Sequence, residues 1–277
     1  MIQSPDIESF PAEDKFAMAT SRELRMIRMT IGYDGTRYAG WQRQLNAVSV
    51  QQVLEEALEK HLGESVKTIA AGRTDSGVHA MGQVVNFRTS RNLSARAIQR
   101  GTLDYLPFDV TIHDARDVSP DFDARKDARL RWYRYFLLNQ SVRAAWGRQY
   151  VTRITGRLDL DKMRAAGALF EGNHDFKAFR AVTCNAVRTR LDMQPVELTV
   201  LPDNVIMLDF RCRSFLQNMV RIMAGTMVSA GRSDVSLEQV RSMLESGRRP
   251  VQVKTLRPDG LVLYKVLYEN DLTKSEA

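Results

Sequence analysis

Two hydrophobic periodicities alternate along residues 27–118, and their order restricts the fold more than any other feature. Residues 27–33 alternate apolar and polar side chains, which predicts a half-buried strand. The segment 49–63 has apolar residues at helical spacing, with Ser49 as N-cap of a capping box with Gln52 and Gly63 as C-cap. Strand, strand, helix and strand follow at 66–71, 83–87, 94–105 and 110–118. This β-α-β-β-α-β order is typical of a ferredoxin-like unit, whose antiparallel sheet carries both helices on one face.

The pattern recurs in the rest of the chain. A strand, a helix and two hairpin arms are predicted at 129–138, 159–171, 196–200 and 205–210. Ser214 is predicted to cap a long helix ending at residue 230, Ser236 begins another helix, and 261–267 forms the last strand. We therefore predict an α+β protein of two ferredoxin-like halves, whose antiparallel sheets join around a central cleft.

The repeat also predicts where the halves meet. We expect an N-terminal half over 25–120 and a C-terminal half over 121–270, with tails at 1–24 and 271–277. The first segment has neither the apolar core of a signal peptide nor the arginines of a transit peptide. No apolar run approaches the roughly 18 residues of a membrane span, so a cytoplasmic protein without a membrane partner is expected.

Charge indicates the class of partner. The 40 Lys and Arg residues exceed the 33 Asp and Glu residues and give a formal net charge of +7. Such a field concentrates polyanions, so nucleic acid is the leading candidate. Cys184 and Cys212 are the two cysteines, and they form no C-x-x-C pair. A disulfide framework and a zinc cluster are therefore not indicated, and a reducing compartment fits.

The strand at 129–138 alternates arginine and tyrosine with apolar residues. Arg131 and Tyr133 fall on one face, and Trp132 and Phe136 fall on the other, which is expected to be the core face. Guanidinium groups beside phenol rings can neutralise phosphates and stack on bases. An ordinary solvated basic face is the alternative.

The segment SFLQNMVRIMAGTMVSAG is apolar on nearly every side of a helix, which predicts a buried helix. Arg221 then lies close to the core, where an unpaired charge costs several kcal/mol. An acidic partner is required, and Asp75, in the glycine-flanked loop GRTDSGVHA, is the candidate. The alternative for Arg221 is an ion pair with a purely structural role. The alternative for the loop is an ordinary surface turn.

Metal and cofactor chemistry is not indicated by any motif. His79 and His174 have no third ligand at a metal-like spacing, and the H-x-E and P-C-x-x-C signature of zinc base deaminases is absent. Neither a phosphate-binding glycine loop nor a dinucleotide fingerprint occurs. We therefore expect no metal and no cofactor.

Six blocks in the same order carry a resemblance to a known family. They are YDGTRYAGWQRQ (33–44), AGRTDSGVHAMGQVVNF (71–87), RWYRYFLLN (131–139), DFKAFR (175–180), FLQNMVRIMAG (215–225) and PDGLVLYKVLY (258–268). Together they resemble the tRNA pseudouridine synthase A family over residues 25–268. The resemblance implies the pseudouridine synthase fold and isomerisation of uridine to pseudouridine in the tRNA anticodon stem-loop, at positions 38 to 40.

The resemblance also implies roles for five residues. Asp75 matches the essential aspartate and Arg221 its basic partner, Tyr133 and Leu261 line the uridine pocket, and Arg73 enters the stem as the base leaves. Departures from the common pattern occur at Ser76, Gln217 and Asn218. These departures bear on site preference rather than on the reaction.

The resemblance also implies a partner and an oligomeric state, and two other functions remain as alternatives. The partner implied is tRNA, bound by a homodimer, and the Met- and Leu-rich second-half helices are expected to supply its apolar contact. A relative acting on uridines of other RNAs, or a non-catalytic tRNA-binding protein, are the alternatives. A carboxylate beside a phosphate track would repel RNA unless it had a chemical role, which argues against the second.

Overall fold

A computed structural model describes residues 24–272 of the chain. The predicted tails at 1–24 and 271–277 lie outside the described residues, apart from positions 24, 271 and 272. The first six strands and α-helices are β1 (Arg25–Tyr33), α1 (Val50–Leu62), β2 (Ile69–Ala70), β3 (His79–Thr89), α2 (Ala95–Leu103) and β4 (Val110–Val118). Their antiparallel order is β4-β1-β3-β2, which confirms the predicted ferredoxin-like unit.

The second set of elements builds the other half. Its strands are β5 (Leu130–Asn139), β6 (Thr152–Ile154), β7 (Gly172–Asp175), β8 (Arg190–Met193), β9 (Glu197–Leu201), β10 (Val205–Cys212) and β11 (Leu261–Leu267). Its helices are α3 (Leu160–Ala168), α4 (Met219–Gly231), α5 (Leu237–Ser246) and α6 (Glu269–Leu272). None of the helices within residues 24–272 combines the length and apolar character that a membrane crossing requires.

The two halves share one eleven-stranded sheet, with the main order β4-β1-β3-β11-β5-β10-β8-β7. The seam is a short parallel pairing of β11 with β3, in which Val262 faces His79 and Leu263 faces Ala80. On its other side β11 runs antiparallel to β5. The loop 71–78 precedes β3 directly, so this loop lies where the halves meet.

Local signals explain where the first helix begins and ends. The Ser49 hydroxyl accepts the backbone N–H of Gln52 at 3.3 Å, and Gly63 closes the helix with φ at +63°. The predicted capping box is only half formed. The Gln52 side chain donates instead to Glu56, one turn further along, at 2.9 Å.

β2 is shorter than the predicted strand at 66–71. Thr68, just before it, gives its backbone N–H and its hydroxyl to the buried carboxylate of Glu55, at 2.9 and 3.0 Å. A side chain of α1 therefore takes the backbone N–H that a longer strand would have used for sheet pairing.

β5 is buried on the face opposite to the one predicted. Arg131, Tyr133 and Tyr135 are buried, whereas Trp132 and Phe136 are only half-buried. The Arg131 guanidinium donates to three backbone carbonyl oxygens, those of Ala71, Arg125 and Arg213. These bonds offset the desolvation of the cation and give the arginine a structural role.

The long helix begins later than predicted. Ser214 is exposed and makes no cap, because Asn218 adopts a left-handed conformation with φ at 62° and α4 starts only after it. Almost every residue of α4 is buried, as its apolar composition predicts. The methionines of α4 and α5 are at most 1% exposed, so they form core and not the apolar dimer surface expected from the sequence.

Candidate active site

The loop between β2 and β3 carries Asp75 and is held by the segment that follows β1. The backbone N–H of Trp41 donates to Thr74 at 3.1 Å. The Tyr38 carbonyl accepts both the N–H of Gly77, at 3.3 Å, and the Ser76 hydroxyl, at 3.2 Å. Two of the blocks singled out from the sequence, 33–44 and 71–87, are therefore one structural unit. Ser76 is a donor that fastens the loop to this unit.

The backbone of the Asp75 loop passes so close to position 40 that a glycine is required there. Gly40 has φ at +86°, and a Cβ there would lie 2.6 Å from the Thr74 carbonyl oxygen. The Tyr33 hydroxyl lies 2.8 Å from Thr74 Oγ1. Burial raises the pKa of Tyr33 to about 12, an effect that the Thr74 hydrogen bond opposes. A neutral phenol therefore supports the residue next to Asp75.

Asp75 and Arg221 meet across the seam. Oδ2 of Asp75 lies 3.4 Å from Nη1 of Arg221, which joins the first half to α4 of the second. Burial raises the pKa of Asp75 above its ordinary value, and the Arg221 charge and hydrogen bond act in the opposite direction. The site thus has one carboxylate whose ionised form depends on one cation.

Arg221 is itself fixed at two other points. Its Nε donates to the Leu256 carbonyl oxygen at 2.8 Å, and its Nη1 donates to Oδ1 of Asn218 at 2.8 Å. The Asp75 partner was predicted from the sequence, but these two contacts were not. An Asn directly before an apolar helical run, where a cap is usual, was the signal in the sequence that could have pointed to Asn218.

Tyr133 and Leu261 form apolar walls of the same site. Tyr133 is 7% exposed and packs edge-on against Phe215 with ring centroids 5.1 Å apart. Burial raises the pKa of Tyr133 well above its ordinary value, so the ring presents a neutral face. Leu261 is buried at the start of β11, where it pairs with Tyr135 of β5.

A cavity of about 1320 Å³ opens over these residues. All five residues predicted for the site line it, namely Arg73, Asp75, Tyr133, Arg221 and Leu261. The volume exceeds the roughly 300–1,000 Å³ of an ordinary small-molecule pocket. Arg73 is exposed and makes no ion pair with any residue in the described part of the chain. The cavity therefore has room for more than a single base and has a free cation in its wall.

The two histidines considered as metal ligands have other partners. His79 is buried, lies 3.1 Å from Asp34 through Nδ1, and places Nε2 2.9 Å from the Gln149 carbonyl oxygen. His174 contacts the carbonyl oxygen of Glu171. Among residues 24–272, the side chains of His, Cys, Asp and Glu form no group of three suited to a metal ion.

The arrangement suits chemistry that needs one ionised carboxylate in a partly buried cavity, where the Asp75 side chain is 26% exposed. A carboxylate of this kind can act as a nucleophile or as a base. The aromatic wall and the exposed cation beside it suit a planar base attached to a phosphate backbone.

Comparison with known proteins gives a consistent result. A family profile described as tRNA pseudouridine synthase matches residues 29–125 and 166–269. A tRNA pseudouridine synthase A of Pelobacter propionicus is 43% identical over 245 residues, which cover 88% of this chain and all of that relative. Proteins of the same name from Geotalea daltonii and a Thermoanaerobacter species are 41% and 36% identical over 88% of this chain.

Proposed function

This chain belongs to the tRNA pseudouridine synthase family, and from that premise we propose that it isomerises the uridines at positions 38 to 40 of the tRNA anticodon stem-loop. The observation that carries the proposal is the approach of Asp75 to Arg221, at 3.4 Å, inside a cavity that residues of both halves line. A binding protein would have no use for a desolvated carboxylate at that position, because it repels phosphate.

The reaction balances without a co-reactant. The N1–C1′ bond of uridine breaks, the base turns, and a C5–C1′ bond forms. The C5 proton is lost and N1 gains one, so nothing is oxidised or reduced. Asp75 supplies the carboxylate, either as nucleophile towards C1′ or C6 or as the base that removes a ribose proton.

The remaining residues prepare the substrate. The base must leave its stack, which costs a few kcal/mol. Tyr133 and Leu261 provide an apolar pocket for the extruded uracil. Arg73 occupies the space that the base vacates in the stem, and Arg221 keeps Asp75 ionised in the pocket.

The experiment measures the C5 proton directly. Transcripts carrying 5-tritiated uridine should release tritium with the wild-type protein, and pseudouridine mapping should place the product at positions 38 to 40. Modification found only at other tRNA positions, or only in other RNAs, would contradict positions 38 to 40 and identify those uridines as the substrate instead. Binding without tritium release from any tRNA would favour the non-catalytic alternative.

We further propose that the working form is a homodimer, as the family resemblance implies. The buried methionines do not support it, but a groove of about 910 Å³ elsewhere on the sheet is lined by exposed apolar side chains. They are Met81, Phe108 and Tyr150. Sedimentation should give a dimer at micromolar concentration and a monomer for Phe108→Asp. A wild-type monomer with full turnover at that concentration would exclude the dimer.

A further inference from the structure

We propose that Asn218 is a positioning residue that aims the Arg221 guanidinium at Asp75, an inference that rests on the proposed function of that pair. Asn218 lines the same cavity as Asp75, and its side-chain oxygen accepts a hydrogen bond from Arg221, so we assign its effect on the reaction to the arginine.

The backbone at Asn218 is set for this contact. Its φ and ψ of 62° and 2° lie in the left-handed region, where an Asn side chain is tolerated better than most. An Asn that precedes a helix ordinarily caps the free N–H groups of the first turn. In this helix the Asn side chain makes no such cap, and Oδ1 accepts from Arg221 at 2.8 Å instead. The side chain at this capping position therefore binds Arg221 of the candidate site instead of the end of the helix.

The hydrogen bonds of Arg221 show why the amide matters. The two bonds at 2.8 Å, from Nε to Leu256 and from Nη1 to Asn218, fix the plane of the guanidinium. The contact with Asp75 is longer, at 3.4 Å. The cation is therefore held by neutral acceptors, and the carboxylate keeps most of its hydrogen-bonding capacity for the substrate.

Loss of the amide would free one edge of the guanidinium. Burial disfavours the charged form of Asp75, and Arg221 is the group that opposes this effect. The other ionisable groups around the pair are the phenols Tyr33, Tyr133 and Tyr135, the arginines Arg73 and Arg131 of the cavity wall, and the Arg257–Asp259 pair next to Tyr135. Burial raises the pKa of all three phenols, so none of them titrates in the acid range. Asp259 is a second carboxylate in this region, so the NMR titration is what assigns the acid limb to Asp75.

The test compares two matched changes. Asn218→Gly keeps a left-handed backbone and removes the amide, while Asn204→Gly makes the same change at φ 59° in the turn between β9 and β10. Asn218→Asp keeps the acceptor and adds a negative charge beside Asp75. Tritium release with tRNA is measured against pH, and the Asp75 carboxyl is titrated by NMR in the full chain without RNA.

Asn218→Gly should lower kcat by on the order of tenfold to a hundredfold, as misplacement of a reacting group by about 1 Å does. It should also move the acid limb and the NMR titration of Asp75 to higher pH, and Asn218→Asp should move them further. Asn204→Gly should change neither. A folded Asn218→Gly protein with an unmoved Asp75 titration would overturn the proposal, as would an equal shift in Asn204→Gly.

The two proposals fail in distinguishable ways. A wild-type protein that forms no pseudouridine in any RNA would refute the proposed function. The NMR titration needs no turnover, so a shift in Asn218→Gly would still establish that Asn218 positions the arginine.

Discussion

Asp75 and Arg221 stand 146 positions apart in the chain and belong to different ferredoxin-like halves, yet their charged groups approach to 3.4 Å. The approach depends on the seam between β3 and β11, which sets the loop before β3 beside α4. The proposed reaction therefore requires both halves, and substitutions on either side of the seam should alter the same activity.

Replacement of the carboxylate should abolish turnover. Asp75→Asn keeps the size of the side chain and removes its charge, so no tritium release is expected. The affinity for tRNA should change by less than about tenfold, or 1.4 kcal/mol, because the proposed role of the carboxylate is in the chemistry and not in binding phosphate. Filter binding and the tritium assay together check this, and retained turnover in the Asn variant would be inconsistent with the role of Asp75.

The same substitution should stabilise the fold at neutral pH. The folded pKa of Asp75 is raised above its ordinary value of 3.8, so the folded state binds the proton more tightly than the unfolded state does. Stability therefore falls as the pH rises from that value through the folded pKa. Asn carries no charge, so the Asp75→Asn protein does not lose stability in this way. Thermal unfolding should give the variant a higher Tm than the wild type at pH 7, and the two Tm values should be equal well below pH 3.8. An equal difference at both pH values would mean that the carboxylate charge is not its source.

Arg221→Met should remain folded and lose most of its activity. The apolar side chain suits the mostly buried helix, although Asp75 loses its cation and the Leu256 carbonyl oxygen loses its donor, so we expect a folded protein of lower stability. Without Arg221, nothing opposes the effect of burial on the pKa of Asp75, so the acid limb of the residual activity should move to higher pH. Circular dichroism with the pH profile checks this. Either an unfolded protein or unchanged activity would contradict the pairing of Arg221 with Asp75 as a catalytic unit.

The salt dependence of tRNA binding should show whether Arg73 contacts the RNA. Arg73 is exposed at the cavity, so Arg73→Gln should make the slope of log K against log[salt] shallower by roughly 0.7–0.9. Arg241, which is exposed and paired with Glu238 on α5, provides a control whose replacement should leave the slope unchanged. A slope for Arg73→Gln equal to that of the wild type would remove Arg73 from the contact with RNA.

Arg131 should behave as a structural residue. Arg131→Met leaves three backbone carbonyl oxygens without their donor, those of Ala71, Arg125 and Arg213. Each such loss in a buried setting costs about 1–3 kcal/mol. Chemical denaturation should therefore show a clear loss of stability. A stable protein with only a changed salt slope would restore the exposed role expected from sequence.

The fold was predictable because its periodicities are local. The strand and helix order, the caps at Ser49 and Ser236, and the buried character of α4 all follow from residues near one another in the chain. The Asp75–Arg221 pair was predictable because an arginine in an apolar helix needs an acid. The identity of that acid came from the glycine-flanked loop and the family resemblance.

The failures share a physical cause, which is tertiary hydrogen bonding. Alternation divides β5 into two faces but does not reveal that Arg131 finds carbonyl acceptors inside the protein. The start of α4 depends on the left-handed backbone of Asn218, and the length of β2 depends on Glu55 of another element. The division of the chain at 120/121 stays a prediction.

The last strand within residues 24–272 occupies the middle of the sheet. β11 lies between β3 and β5. During synthesis on a ribosome, the edges of β3 and β5 that pair with β11 therefore have no partner until residues 261–267 have emerged. Exposed strand edges are sites of mispairing between chains. The Asp75–Arg221 pair is therefore expected to form only near the end of translation, and an interruption before β11 should leave two open sheets without this pair.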